Sequence, residues 1–368
     1  NDKLDLTEGK TYEYFFRATD NDRVNGFKST RSSIFSFKKR TQEEQEERQL
    51  EQQSKSIDDM EESLQKLKKN KLNIDELKKL QREKQQLNYS DKKKIKDFIE
   101  RQEQQQNMME RFNKSMQENL SEFNKQENDQ QKKNLQKRLK SNEENLEENK
   151  ELLKKLDEYN KKLDNEDLQK NLEEYDKENS KQKRNLEEIL ELTKRYYVEE
   201  KTKKLARELE KIAKKQKELA DRKEENESIA QDSLNKDFEK VSKELDSLQK
   251  ENKQLKEPYT LPDNKEKQEA VKKDQEKAKE ELEKAENSDA EQQKSQSQQN
   301  AKESQQNAAE KMKDMSQQMN SMMSMAGRQQ AQEDAKMLRR VLQNLLVYSK
   351  EQENLIDKFK SIDDQSPN

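Results

Sequence analysis

The chain of 368 residues is too polar for a globular domain of its length, with 43% charged and 26% apolar residues, against about 25% and about 45–50% in a typical domain. It has 3 Gly, 3 Pro and no Cys, His or Trp, so turn-forming residues are scarce. Its apolar share is close to the about 29% of residues that occupy the a and d positions of heptads. We therefore predict a mainly α protein of long charged helices, packed as a coiled coil or as folded-back hairpins.

The missing residue types argue against catalysis. Without Cys and His there are no thiolate or imidazole metal ligands and no Ser-His-Asp or Cys-His nucleophiles. Neither glycine-rich nucleotide-binding fingerprint occurs. Carboxylate pairs arise by chance among 81 Asp and Glu residues. We predict a non-enzymatic protein with no catalytic, cofactor-binding or metal-binding residues, no cofactor and no small-molecule substrate.

The charge pattern favours solvated helix faces over a nucleic-acid or membrane surface. The net charge is -3 and the two signs are interspersed. No run of 18 apolar residues occurs, so a membrane contact would need an anchor outside this chain.

Residues 1–40 are predicted to form a β-hairpin. Tyr12, Tyr14, Phe16 and Ala18 alternate with other residues, a strand period, and residues 34–38 form a second β-rich run. The intervening Asp20-Asn21-Asp22 and Asn25-Gly26 are turn signals.

The stretch from Leu6 through Gly9 to Tyr12 and Tyr14 resembles the tyrosine corner of fibronectin type III and other immunoglobulin-like sandwiches. The resemblance implies that Tyr12 hydrogen-bonds to the chain a few residues upstream. It also implies that residues 1–40 are the remnant of a sandwich whose other strands lie upstream of Asn1.

Residues 41–128 are predicted to form coiled-coil helices with a break near 88–90, where Ser90 is the expected N-cap. Weaker breaks are expected near 70 and 128. Residues 129–257 are predicted to be a long heptad region. Its clearest stripe alternates steps of four and three and includes Asn, which fixes register and partner number: Leu135, Leu139, Asn142, Leu146, Asn149, Leu153, Leu156, Asn160 and Leu163.

Pro258 and Pro262 predict a hinge at residues 258–262. Residues 263–326 form a Gln/Met-rich segment, helical or partly disordered, in which residues 288–307 are expected to be weakly helical or disordered. A methionine stripe follows, which we interpret as a soft helix interface, with a partner-binding groove as the alternative: Ala308, Met312, Met315, Met319, Met322 and Ala326.

Residues 327–368 are predicted to be an amphipathic helix and tail, with Gly327 interrupting the preceding stripe. Between residues 338 and 359 apolar side chains cover more than a third of the helix surface. Core packing on two sides is the favoured interpretation, and a docking face is the alternative.

The apolar stripes require a protein partner or self-association, because a polar helix gains its stability from packing. Changes of register between heptad blocks favour folded-back hairpins over one extended coiled coil.

Residues 12–30, 91–102, 255–263 and 337–349 together resemble a large uncharacterised family of bacterial proteins that share a conserved domain of unknown function. Members carry N-terminal transmembrane helices, an immunoglobulin-like region and long Glu/Lys/Gln-rich helices. The resemblance implies an internal fragment of a membrane-anchored protein of the bacterial cell envelope. A cytoplasmic location is the alternative.

These features favour a structural spacer, tether or assembly scaffold. One alternative is the coiled-coil arm of a chromosome-maintenance ATPase. Another is a helical chaperone-like clamp that uses the methionine stripe as its client surface.

Overall fold

The computed structural model describes residues 4–21, 23–24, 26–83, 88–122, 130–162, 165–222 and 227–363. In these ranges a short β-ribbon precedes seven helices, α1 to α7, and the helices pack against one another. The predicted mainly α fold with an N-terminal β-hairpin is confirmed. The chain divides into two compact units, Asn1–Tyr197 (unit 1) and Val198–Asn368 (unit 2).

The β-ribbon is one antiparallel hairpin interrupted at its middle. The strands are β1 (Thr11–Tyr14), β2 (Arg17–Thr19), β3 (Ser29–Arg31) and β4 (Phe35–Lys38). β1 pairs with β4 and β2 with β3, so Tyr12 lies opposite Phe37 and Ala18 opposite Thr30. Asp22 and Asn25 of the predicted turn lie outside the described residues.

Tyr12 makes the hydrogen bond that the tyrosine-corner resemblance implies. The backbone N–H of Thr7 donates to the Tyr12 hydroxyl over 2.7 Å, and this bond lowers the pKa of Tyr12. Gly9 reverses the chain between them with φ of +80°, a value that glycine adopts without strain. Whether the ribbon belongs to a larger sandwich stays a prediction.

α1 (Gln42–Glu83) begins with a reciprocal capping box. The Glu44 N–H donates to the Thr41 hydroxyl, and the Thr41 N–H donates to the Glu44 carboxylate, both over 3.2 Å. The helix continues to Glu83, so the expected break near residue 70 is wrong.

α2 (Tyr89–Glu122) begins at the predicted break, but its cap is Asn88 and not Ser90. The Asp91 N–H donates to the Asn88 side chain over 2.9 Å, and the Asn88 N–H donates to the Asp91 carboxylate over 3.1 Å. α3 comprises Gln130–Lys162, and the predicted break near 128 lies outside the described residues. α4 (Asn165–Asp221) begins in unit 1 and ends in unit 2. Leu163 lies outside the described residues.

The core of unit 1 is built by α1, α2, α3 and the part of α4 before Val198. One cluster joins all four helices: Ile74, Leu77, Ile95, Phe98, Ile99, Leu152, Leu153, Leu156, Leu168, Leu172 and Tyr175. The predicted stripe from Leu135 to Asn160 is buried throughout. In unit 1 the helices therefore cover one another's apolar stripes, as folded-back packing requires.

Unit 2 consists of the end of α4 with α5 (Ser228–Lys253), α6 (Lys265–Glu286) and α7 (Glu291–Asp363). The predicted heptad region 129–257 thus contains α3, α4 and α5. The predicted hinge at 258–262 lies in the turn between α5, which ends at Lys253, and α6, which begins at Lys265. This turn is held by Asn252, whose side chain accepts from the Tyr259 N–H over 2.9 Å and donates to the Tyr259 carbonyl over 2.8 Å.

Residues 291–307 belong to α7, so of the two alternatives expected for 288–307, weak helix or disorder, the structure shows helix over these residues. Small side chains form the buried face of α7 here, including Ser297, Ala301 and Ser304. Small residues let packed helices approach closely, so this face can be buried with little apolar content. α7 also continues through Gly327, which does not interrupt it.

Candidate interaction surfaces

The interior of unit 2 contains one polar layer that joins four helices. We call Gln216, Gln231, Gln275 and Gln305 the glutamine layer; they lie on α4, α5, α6 and α7 and are at most 1% exposed. Gln216 and Gln231 exchange hydrogen bonds of 2.6 and 3.0 Å. Gln275 donates to Gln216 over 3.1 Å, and Gln305 donates to Gln231 over 2.9 Å. These hydrogen bonds therefore fix the position of the four helices along the bundle axis relative to one another.

None of these four residues was predicted to belong to a site. Each of them nevertheless stands three or four residues from a buried apolar residue of its own helix, as Gln275 does between Val271 and Ala278. A glutamine at such a position on each of four successive helices is the signal that could have revealed the layer.

Ion pairs surround the layer at the surface of unit 2. The Asp232 carboxylate accepts from Lys236 on its own helix over 2.6 Å and from Lys279 on α6 over 2.8 Å. These two hydrogen bonds lower the pKa of Asp232 to about 2. The Lys279 pair ties α5 to α6 beside the layer.

Unit 1 has polar pairs in its interior as well. The Tyr175 hydroxyl donates to Gln102 over 3.0 Å, while its ring meets the edge of Phe98 at 6.0 Å. Burial raises the pKa of Tyr175, so the phenol stays neutral and serves as a donor. One turn further along α2, Gln106 and Gln182 exchange hydrogen bonds of 3.3 and 3.4 Å.

Two asparagines of α3 are buried without such hydrogen bonds among the described residues. Asn142 and Asn149 are 1% and 0% exposed, and among the described residues neither amide atom of either side chain has a hydrogen-bond partner. An unpaired buried amide costs roughly 1–3 kcal/mol. These positions therefore lower the stability of unit 1, as expected for Asn at heptad positions.

The methionine stripe belongs to the core of unit 2 from Ala308 to Met319, and Met322 beyond it is half-buried. Met312, Met315 and Met319 are at most 1% exposed, and Ser316 between them donates to the Ala206 carbonyl of α4 over 2.7 Å. The interpretation as a helix interface agrees with this burial. The side chain of Ala326, at the end of the predicted stripe, lies outside those described.

Among the described residues, the second half of α7 leaves a run of large apolar side chains exposed. We call residues 338–359 the α7 apolar segment. Ten large apolar side chains there are between 51% and 65% exposed: Leu338, Val341, Leu342, Leu345, Leu346, Val347, Tyr348, Leu355, Ile356 and Phe359. The expectation of core packing is wrong for the single chain, which leaves the docking-face interpretation.

The β-ribbon also exposes aromatic rings. Tyr14 stacks on Phe35 at 5.5 Å and meets Phe16 edge-on at 5.8 Å, yet all three remain more than 40% exposed. Two strands bury too little surface to be stable alone in water. This face is therefore a second candidate surface.

Two shallow grooves run between helices of unit 1. One, of about 420 Å³, lies between α1 and α2 and is lined by residues such as Ser56, Asp59 and Phe112. The other, of about 600 Å³, lies between α2 and α3 and is lined by Glu110, Glu118, Glu143 and Glu147 with Lys114. Glu110 is paired with Lys150 at 3.0 Å. Among the described residues no group of three or more carboxylates is arranged to hold a metal ion.

Within the described ranges, no helix combines the length and the apolar content that a bilayer crossing requires. Comparisons with protein-family models, with curated proteins and with solved structures found no match.

Proposed function

We propose that the chain is a non-enzymatic structural element that serves as a helical spacer, tether or assembly scaffold. The glutamine layer of unit 2 carries this proposal. Buried amide pairs fix the register and the number of packed helices. A bundle specified in this way holds its surfaces at constant separation, which is the property that a spacer or scaffold needs.

The proposal includes a location at the bacterial cell envelope. Its support is the resemblance of four stretches of the sequence to a membrane-anchored family, and attachment would use sequence outside this chain. Fractionation of the producing cells tests it: recovery with membranes supports the location, and recovery in the cytosol contradicts it.

A chaperone-like clamp is the alternative that the structure addresses most directly. Three of the methionines that would form its client surface, Met312, Met315 and Met319, are buried in unit 2. A clamp would have to separate α7 from α4 to expose them, whereas a spacer keeps the two helices together.

Spin-label distances distinguish the two functions, and the chain has no native Cys to interfere. Lys214→Cys on α4 and Lys313→Cys on α7 place labels on exposed positions of the two helices. A spacer gives one narrow distance distribution, unchanged when a reduced and alkylated unfolded protein is added. A distribution that is broad, or that broadens with the unfolded protein, supports the clamp and contradicts the spacer.

The matched control places both labels on α5, at Lys236→Cys and Lys250→Cys. Fourteen residues of helix separate them by about 21 Å whatever the bundle does. Its distribution should stay narrow with and without the unfolded protein.

A further inference from the structure

The α7 apolar segment has the composition of a helix that another helix covers. The first half of α7 buries its apolar face in unit 2, where Ala308, Met312 and Met315 are 0% exposed. Beyond it, the ten apolar side chains of the segment are exposed on the same continuous helix. A surface of this size on a single helix is typical of an interaction site.

The spacing within the segment is that of a coiled coil. Seven positions follow alternating steps of three and four: Leu338, Val341, Leu345, Tyr348, Gln352, Leu355 and Phe359. They span about 32 Å, or three heptads. Leu342, Leu346 and Ile356 widen the stripe along one side.

The distribution of charge along the segment indicates that the partner is a second copy of this chain and that the two helices pair in antiparallel orientation. Residues 335–349 carry Lys336, Arg339 and Arg340 and no acidic residue, while residues 351–357 carry Glu351, Glu353 and Asp357 and no basic residue. Lys350 lies between the two groups and Lys358 follows the second. A parallel copy would place the basic groups side by side. An antiparallel copy places each basic group beside an acidic one, which favours that pairing.

We propose that the α7 apolar segment is a self-association site, at which two copies of this chain pair through antiparallel helices. We number the stripe so that Leu338 and Leu345 are a positions and Tyr348 and Leu355 are d positions. An antiparallel register that pairs a with d positions sets Leu338 of one copy opposite Leu355 of the other, and Leu345 opposite Tyr348. The same register sets Val341 opposite Gln352 and brings Arg340 to the level of Glu353. The inference goes beyond the proposed spacer function and does not depend on it.

Light scattering coupled to size exclusion tests the association with the full chain. The wild type is expected to shift from monomer to dimer as its concentration rises. Leu345→Glu places a charge in the interface and should move the midpoint of this shift to at least tenfold higher concentration. Gln343→Glu adds the same residue on the opposite face of the same helix and should leave the midpoint unchanged.

Neither variant is expected to unfold the monomer, because Leu345 is 57% exposed and Gln343 is also exposed. Equal circular dichroism spectra of the two variants check this. A wild type that stays monomeric, or a dimer that Leu345→Glu leaves intact, overturns the proposal.

Disulfide trapping tests the direction. Val341→Cys and Gln352→Cys are made in separate chains, mixed and oxidised. Antiparallel pairing yields a covalent dimer in the mixture and not in either variant alone. A covalent dimer of one variant alone indicates parallel pairing and overturns the antiparallel arrangement.

A membrane surface is the competing occupant, since the segment is basic at one end and apolar along one face. Co-sedimentation with vesicles of phosphatidylcholine and phosphatidylglycerol measures it. Binding by a chain that stays monomeric overturns self-association, whereas a dimer that does not sediment with the vesicles supports it. A monomer that is nonetheless rigid by spin-label distances leaves the spacer function standing while the self-association fails.

Discussion

Single amides decide the pairing of helices in unit 2, because an amide in a dry core stabilises only when its partners are present. Gln231 shows this most clearly, since it exchanges hydrogen bonds with Gln216, accepts one from Gln305 and donates one to Asn235. An apolar residue at the same position would pack against any neighbour. The hydrogen bonds of the amide form only in the register that brings the other glutamines beside it.

Gln231→Leu is expected to destabilise unit 2 by about 1–3 kcal/mol, because it removes the buried hydrogen bonds that Gln231 exchanges with Gln216 and accepts from Gln305. Urea unfolding followed by circular dichroism measures this change. Gln298→Leu, at an exposed position of α7, is the control and should change the free energy of unfolding by less than about 0.5 kcal/mol. Equal values for the two variants would contradict the role assigned to the layer.

Asp232 gives unit 2 a pH dependence. Hydrogen bonds from Lys236 and Lys279 depress its folded-state pKa to about 2, so the carboxylate stabilises the folded state above the pKa of an unfolded Asp, about 4. This stabilisation is lost as the pH falls from about 4 to about 2. Asp232→Asn should remove that part of the pH dependence of the unfolding midpoint. Asp246→Asn, at an exposed position of the same helix, should not.

At the scale of helices, the sequence predicted the helix ends at which a residue type cannot continue the helix. Pro258 and Pro262 cannot lie within a helix, and α5 ends and α6 begins on either side of them. α4 ends at Asp221 and α5 begins at Ser228. The sequence from Asp221 to Glu227 contains no Gly or Pro, so no residue that breaks helices marked this end.

The small-residue face of α7 shows the same limit. Ser297, Ala301 and Ser304 carry little apolar content, and a composition rule assigned their segment to weak helix or disorder. Their burial follows from close approach to the other helices of unit 2, which requires small side chains. The glutamine layer was missed for a related reason: four single residues on four helices form a feature only when the helices fold together.

Asn88 gives a test at a helix start. Asn88→Ala removes the acceptor for the Asp91 N–H and should destabilise unit 1 by about 0.5–2 kcal/mol. Ser90→Ala is the matched control and should cost less than about 0.5 kcal/mol. Chemical denaturation of both variants gives the comparison. A larger loss for Ser90→Ala would show that the cap is misassigned.

For the whole chain, amino-acid composition was the property that best predicted the fold class. An apolar share of 26% is enough for stripes on helices, and the described helices place those stripes inside two separate units. The α7 apolar segment and the aromatic face of the β-ribbon remain exposed. Composition alone does not distinguish their residues from those of the core. Exposure distinguishes them, because the core residues of both units are covered within a single chain.

Methionine oxidation maps this division across the molecule. Met60, Met109, Met116, Met312, Met315 and Met319 are at most 2% exposed, whereas Met325 is 68% exposed. Mild peroxide should oxidise Met325 well before those six, since sulfoxide formation follows exposure of the sulfur. Peptide mass spectrometry at successive times measures the order. Early oxidation of Met312 or Met315 in the native protein would contradict their burial and support a clamp that opens.

The glutamine layer also constrains how this chain can evolve. Gln216 and Gln231 are costly to change alone, because each accepts hydrogen bonds from two other glutamines of the layer, yet exchanging all four together for aliphatic residues of similar volume need cost little. Stepwise mutation would have to cross a fitness valley to reach that end point. The four codons are therefore epistatically coupled, and they are expected to drift as a block or not at all.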